Sequence, residues 1–247
     1  MKVVEVFGLA RSGHHAVINW LIKNLCGVES EMKWKLDLLN DRGVIYINEA
    51  NLDLEVTFKY IKEHIEKIKY LVLSYENVDT DFTILNDRKV YDSPNCIDLP
   101  LFTEVEKTYR IVVLRDFYNN LASRIEANDK EKVKLRDGTI FQWDINENFV
   151  NLWKKHAKSY LSLNNRHIKF EDWLNDENIR KKFLFENLQL DEMYSNEVIG
   201  THSSFGDNNY LNRIDKVKVP PETKDLISKD TELHYLIGKL NYNYRKL

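Results

Sequence analysis

Gly8-Leu9-Ala10-Arg11-Ser12-Gly13-His14-His15 sets an arginine and a serine between two glycines and follows them with two histidines. Glycines at this spacing let successive backbone N–H groups turn inward around an anion, and a helix that follows adds its positive end. Phosphate or sulfate is then held without a metal, and Arg11 adds a planar, permanently charged fork. A second candidate lies in Arg110-Ile111-Val112-Val113-Leu114-Arg115-Asp116, where Arg115 leaves an apolar run and Ser123 follows two helical turns later. Together Arg115 and Ser123 can clamp a second phosphate, although an arginine at such a place also forms ordinary ion pairs.

The glycine spacing is that of a Walker A loop, but His14-His15 replaces the lysine and hydroxyl residue that such loops use on the terminal phosphate and Mg²⁺. This weighs against a kinase or ATPase. Neighbouring side chains on a helix diverge, so the two histidines are not expected to share one ion, and no metal is assigned. With an ordinary pKa near 6.5, His14 or His15 can donate to an anion when protonated; simple hydrogen bonding at a helix start is the alternative. Glycines that serve only a tight turn are the plainer reading of the loop.

These residues need elements to hold them. Short β-branched or apolar runs over 3–7, 44–48, 70–74, 110–114 and 167–170 read as strands. Helical patterns cover 16–25, 54–68, 118–128 and 146–163, with further helices over 179–188 and 221–240. Such alternation predicts an α/β fold, a mainly parallel sheet with helices on both faces and right-handed crossovers. Ligands in such folds bind beyond the carboxyl ends of the strands, which points to 8–15, 49–53, 75–79 and 115–123. The polar stretch 129–144 reads as a surface hairpin or insertion within a single domain spanning 1–247.

With 43% hydrophobic and 30% charged residues, the 247-residue chain has an ordinary globular composition. A net charge of −3 offers no general attraction to nucleic acid or anionic lipid, so any polyanion site must be local. Cys26 and Cys96 are the only cysteines and give neither a disulfide framework nor a paired-cysteine zinc site. The glycine loop comes too early for a signal peptide, and no apolar run approaches the roughly 20 residues that span a bilayer. A cytoplasmic protein is expected.

The two anion constellations together resemble the cofactor site of sulfotransferases that use 3′-phosphoadenosine 5′-phosphosulfate (PAPS). Arg11-Ser12-Gly13-His14-His15 is similar to that family's first loop, with Arg for Lys and His-His for Thr-Thr, and Arg115 with Ser123 matches its second motif in type and spacing. The likeness extends to Lys169-Phe170-Glu171-Asp172-Trp173-Leu174, to His202-Ser203-Ser204-Phe205 and to the closing stretch 232–242. It implies a P-loop nucleoside triphosphate hydrolase-like, sulfotransferase architecture and transfer of a sulfuryl group to an acceptor hydroxyl on a small molecule or carbohydrate. PAPS would be the co-substrate and no metal would be needed. Arg11, Ser12, Gly13, His14 and His15 would hold the phosphosulfate, Arg115 and Ser123 the 3′-phosphate, and Ser204 and Phe205 the adenine. Ala16 stands where cytosolic members carry a tryptophan, and the segment that closes over their 3′-phosphate is represented only by Arg213.

Catalysis of that transfer needs stabilisation of the departing oxygen, a role for Arg11 and His14, and a base for the acceptor hydroxyl. Glu49, directly after the strand at 44–48, and Asp92, near the place of the family's catalytic histidine, are candidates; Glu76, after 70–74, is a third. Two other readings stay open: a P-loop kinase with an altered loop, and a non-catalytic module that binds a nucleotide or sulfated ligand.

Overall fold

The computed structural model describes residues 1–27, 43–48, 54–77, 106–130, 140–162, 167–196, 213–243 and 245. Its centre is a sheet of five parallel strands in the order β2-β3-β1-β4-β5, comprising β1 (Lys2–Gly8), β2 (Val44–Asn48), β3 (Tyr70–Glu76), β4 (Lys107–Leu114) and β5 (His167–Lys169). Residues two apart on a strand share a face. Val4 and Val6 of β1, Val72 of β3 and Tyr109, Ile111 and Val113 of β4 accordingly pack with Val17, Trp20 and Leu21 of helix α1 (His14–Cys26). A second apolar cluster joins Leu9 and Leu114 to α3 (Phe117–Lys130), α4 (Glu147–Ser162), α7 (Pro221–Lys229) and α8 (Thr231–Lys239). Helices therefore cover the sheet as the alternation predicted.

Strand order determines where the sheet can bind. From β1 the chain runs to β2 and β3 on one side, whereas β4 lies on the other side of β1 and leads on to β5. The crevice where connections part thus opens between the carboxyl ends of β1 and β4, above Gly8 and Leu114. Both anion constellations begin there.

Several expected boundaries move. The helix expected over 54–68 is α2 (Leu54–His64) followed by a 3-10 turn at Ile65–Lys67. Phe170 starts α5 (Phe170–Asn175) instead of ending β5. The helix expected over 179–188 is α6 (Glu177–Phe183), opened by the Asp176 carboxylate accepting from Asn178 N, and then a π turn at Leu184–Leu188. The helix expected over 221–240 is two, because the Asp230 carboxylate accepts from Leu233 N and starts α8 anew. Residues 131–139 lie outside the described part, so the insertion is seen only at its edges, where Asn128 exchanges two hydrogen bonds with the backbone of Trp143.

Trp20, one turn beyond Ala16, is buried edge-on against Trp173 and donates to Ser195 O, so it belongs to the core. Among the described residues no helix is long and apolar enough to cross a membrane.

Candidate functional site

The loop after β1 owes its shape to two left-handed residues. Arg11 has φ 66° and Gly13 φ 83°, flanking Ser12. A side chain at positive φ is strained, and such strain is retained where the surroundings over-determine it. Positive φ on either side of Ser12 makes a concave run of backbone suited to an anion, with the N-terminus of α1 directly behind it. The Ser12 hydroxyl is buried and has no hydrogen-bond partner among the described residues. A buried polar atom is nearly always paired, so an orphan within an anion loop fits a site for a phosphate or sulfate oxygen.

Both glycines are required by close approach. A Cβ on Gly8 would come 2.7 Å from His14 Cβ, and one on Gly13 would stand 2.3 Å from Phe170 Cε2. Gly13→Ala also forces an L side chain into the left-handed region, a strain of about 1–3 kcal/mol before the clash is counted. We expect Gly13→Ala to lower the urea midpoint and to abolish anion binding, as a denaturation curve and calorimetry would show.

Three elements outside the loop hold it in place. Asn77, itself left-handed at φ 59°, accepts from Ala10 N through Oδ1 at 2.9 Å and donates its own N–H to Gly8 O at 3.0 Å. Asn120 of α3 donates to Ala10 O at 3.2 Å. Arg115 Nη1 donates to Arg11 O at 2.8 Å, so the second constellation reaches back and touches the first. Behind Asn77 stands Arg124, 2% exposed, whose Nη2 donates to Asn77 Oδ1 at 2.9 Å while its guanidinium lies 4.5 Å from the Phe149 ring. Burial pulls its pKa down to about 10, which still leaves it charged at neutral pH.

Arg115 is buried as well. Glu171 lies 3.9 Å from its Nε and the Phe170 ring 5.3 Å from its guanidinium. Glu171 in turn accepts from Asp116 N, and from the Tyr242 hydroxyl at 3.3 Å. Burial raises the pKa of Glu171, and the Arg115 charge opposes that shift. Ser123 is buried on α3, one turn beyond Asn119 and on the same face. Asn119 Oδ1 accepts from Arg213 N at 3.2 Å, so the Arg213–Lys216 turn packs against the face that carries Ser123. Arg115, Ser123 and Arg213 are therefore gathered about α3, whereas Ser204, Phe205, Glu49 and Asp92 lie outside the described residues.

Two expectations about the histidines are corrected. Their rings do not diverge: the His14 and His15 centroids are 4.1 Å apart, because His14 is the first residue of the helix and Gly13 before it is left-handed. Nor do they titrate near neutrality. Burial drives both pKa values down to about 3, and both imidazoles are neutral at pH 7. His14 Nε2 lies 3.2 Å from Ser74 Oγ, and its Nδ1 lies 3.6 Å from Glu76 Oε1.

In the unfolded chain each imidazole protonates near pH 6.5, in the folded protein only near pH 3, so the unfolded state binds more protons in that window. Stability is complete above pH 6.5 and falls toward pH 3, by about 1.4 kcal/mol per pH unit for each fully shifted group. Burial raises the pKa of Glu76, Asp116 and Glu171, and those shifts offset part of the loss as pH falls through their folded values. Urea midpoints should therefore decrease from pH 6.5 to pH 4, and His14→Gln should flatten the slope.

Glu76 ends β3 opposite Gly8 and is the carboxylate that the described residues bring to the loop. Val72, Ser74 and Glu76 alternate onto the face that α1 covers, and His14 lies over the last two. Its side chain keeps 26% exposure, so it is held by neighbours and still open to a ligand. Burial raises its pKa, while His15, Arg124 and Arg11 pull the other way. The period-two pattern Val72-Ser74-Glu76, apolar turning polar at the carboxyl edge, was the sequence signal for this residue. Asn77, Asn120, Arg124 and the Glu171 contact to Arg115 carried no such signal.

No family model matches this chain, and no curated protein does. Among solved structures, the sulfotransferase domain from the curacin biosynthetic pathway aligns with a TM-score of 0.51 over 99% of this chain and 99% of that one, at 13% identity. The shared feature is the fold. Five parallel strands flanked by helices, with a glycine loop after the first strand, agree with the sulfotransferase-type architecture that the resemblance implied.

Proposed function

We propose that this protein transfers a sulfuryl group from PAPS to an acceptor hydroxyl. The observation that carries the reading is the bond from Arg115 to the Arg11 carbonyl, which joins two anion-binding constellations across the topological switch point of a sulfotransferase-like sheet. Arg11, the Ser12 hydroxyl and the loop backbone would take the 5′ end of the nucleotide, and Arg115, Ser123 and Arg213 its 3′-phosphate. PAPS supplies a sulfur whose bond to the 5′-phosphate oxygen breaks as the acceptor oxygen bonds to it. Glu76 takes the acceptor proton, and Arg11 with the helix N-terminus stabilises the charge left on the 5′-phosphate. Glu76 is taken as the base because, among the described residues, it stands beside the loop and keeps a partly exposed side chain.

The kinase alternative loses support from the same geometry. A neutral His14 cannot replace the charge of the phosphate-loop lysine. Calorimetry with 3′-phosphoadenosine 5′-phosphate in a chelating buffer should show one site, and ATP with Mg²⁺ should bind weakly. Tight binding of ATP-Mg²⁺ together with no binding of the bisphosphate would overturn the proposal. The acceptor would be a small molecule or carbohydrate, and turnover of a hydroxyl acceptor panel with labelled PAPS would identify its class.

A further inference from the structure

We propose that His14, His15 and Glu76 form a binding site for one divalent transition-metal ion of the zinc class at the mouth of the glycine loop. Each residue offers one ligand atom, and these atoms all lie within 4.8 Å of one another. His14 Nδ1 and Glu76 Oε1 are already 3.6 Å apart. Ligands about 2.0–2.2 Å from a tetrahedral ion stand roughly 3.3–3.5 Å from each other, so small side-chain rotations complete the set.

The arrangement around the three residues supports metal binding. His14 Nε2 rests on Ser74 Oγ, which fixes the ring and leaves Nδ1 facing Glu76, as an outer hydrogen bond does for a metal-bound imidazole. Glu76 contributes the negative charge and, at 26% exposure, a route for the ion. Three protein ligands leave a fourth position open toward the loop.

Charge and ligand type together select the ion. Arg11 and Arg124 act on Glu76 from nearby and raise the local potential, which opposes any cation. Mg²⁺ and Ca²⁺ call for oxygen ligands, and this cluster supplies one carboxylate. Zn²⁺, Co²⁺ and Ni²⁺ gain from two imidazoles what the arginines withhold. The inference does not rest on the sulfotransferase reading. Where both hold, an ion on Glu76 occupies the lone pair needed by the base, and bound metal would inhibit transfer.

The test is a Co²⁺ titration of the chelator-stripped full chain, followed by visible absorption. One equivalent should produce the intense bands of four-coordinate Co²⁺, Zn²⁺ should erase them, and excess Mg²⁺ should not. Outer partners of metal ligands are worth about 10–100-fold in affinity, so Ser74→Ala should weaken binding in that range and loss of a ligand by at least as much. Glu76→Gln and His15→Gln are both measured, with far-UV circular dichroism confirming the fold. His64→Gln, on α2 and bonded to Tyr60 O, should bind like the parent. Absence of four-coordinate bands in the parent, or parental affinity in both ligand variants, would overturn the inference. Bisphosphate calorimetry in chelating buffer reports on the sulfotransferase reading separately.

Discussion

Glu76→Gln should lower kcat for sulfuryl transfer by about 10²–10⁴-fold, the usual worth of a positioned general base, while leaving nucleotide affinity within a few-fold. The amide keeps the size of the carboxylate at the end of β3 and its place beside His14, so the loop stays as it is. What it loses is the ability to take a proton. Because burial lifts the Glu76 pKa, kcat/KM for the parent should decline with acid from above the ordinary carboxylate range, activity being present when the group is ionised and lost as it protonates. The variant's residual rate should lack that acid limb. Rates are to be measured in chelating buffer, so that metal on Glu76 does not contribute. A variant that retains parental kcat would exclude Glu76 as the base, and turnover would then have to depend on a carboxylate outside the described residues, such as Glu49 or Asp92.

Arg115→Ala should weaken 3′-phosphoadenosine 5′-phosphate binding by about 10²-fold or more, the effect of removing one member of a buried charge-assisted contact, about 3 kcal/mol or more. Two causes are combined in that loss. The loop forfeits the donor on the Arg11 carbonyl, and Glu171, 8% exposed, is left without the nearest cation described beside it. An orphaned buried charge destabilises the fold, and the double variant Arg115→Ala/Glu171→Gln separates the causes. Urea denaturation should show the stability of the double variant recovering toward the parent. Nucleotide affinity should not recover, because the phosphate contact remains missing. If affinity recovers with stability, the loss came from the orphaned Glu171, and Arg115 makes no contact with the nucleotide.

The metal inference and the base assignment share Glu76 because one residue ends the strand beside β1, at the first turn of α1, with two histidines close to it. A carboxylate in such a place can take a proton or an ion, and the occupant depends on what the crevice contains. Chelator dependence of transfer is therefore informative: stimulation by chelator would accord with an inhibitory ion.

Much of this protein was legible in the order of its residues. Gly8, Arg11, Ser12 and Gly13 announce an anion loop because their spacing between a strand and a helix is local chemistry, decided by backbone freedom and nearest neighbours. The five strands were also local, each a short β-branched or apolar run, and their alternation with helices implied a parallel sheet. Tertiary structure alone decided which distant residues complete the loop. Asn77, Asn120 and Arg115 meet it from three different elements, and no periodicity in the chain records those contacts.

The histidines show the difference most clearly. From their order they were expected to diverge and to titrate near neutrality, since helical geometry and the free side chain were the only guides. Packing overruled both: the left-handed Gly13 brings the rings together, and burial removes their charge. Residue order determined that a glycine loop is followed by two imidazoles. Burial and strand register, which are properties of the folded whole, decided that those imidazoles are neutral and that Glu76 stands beside them.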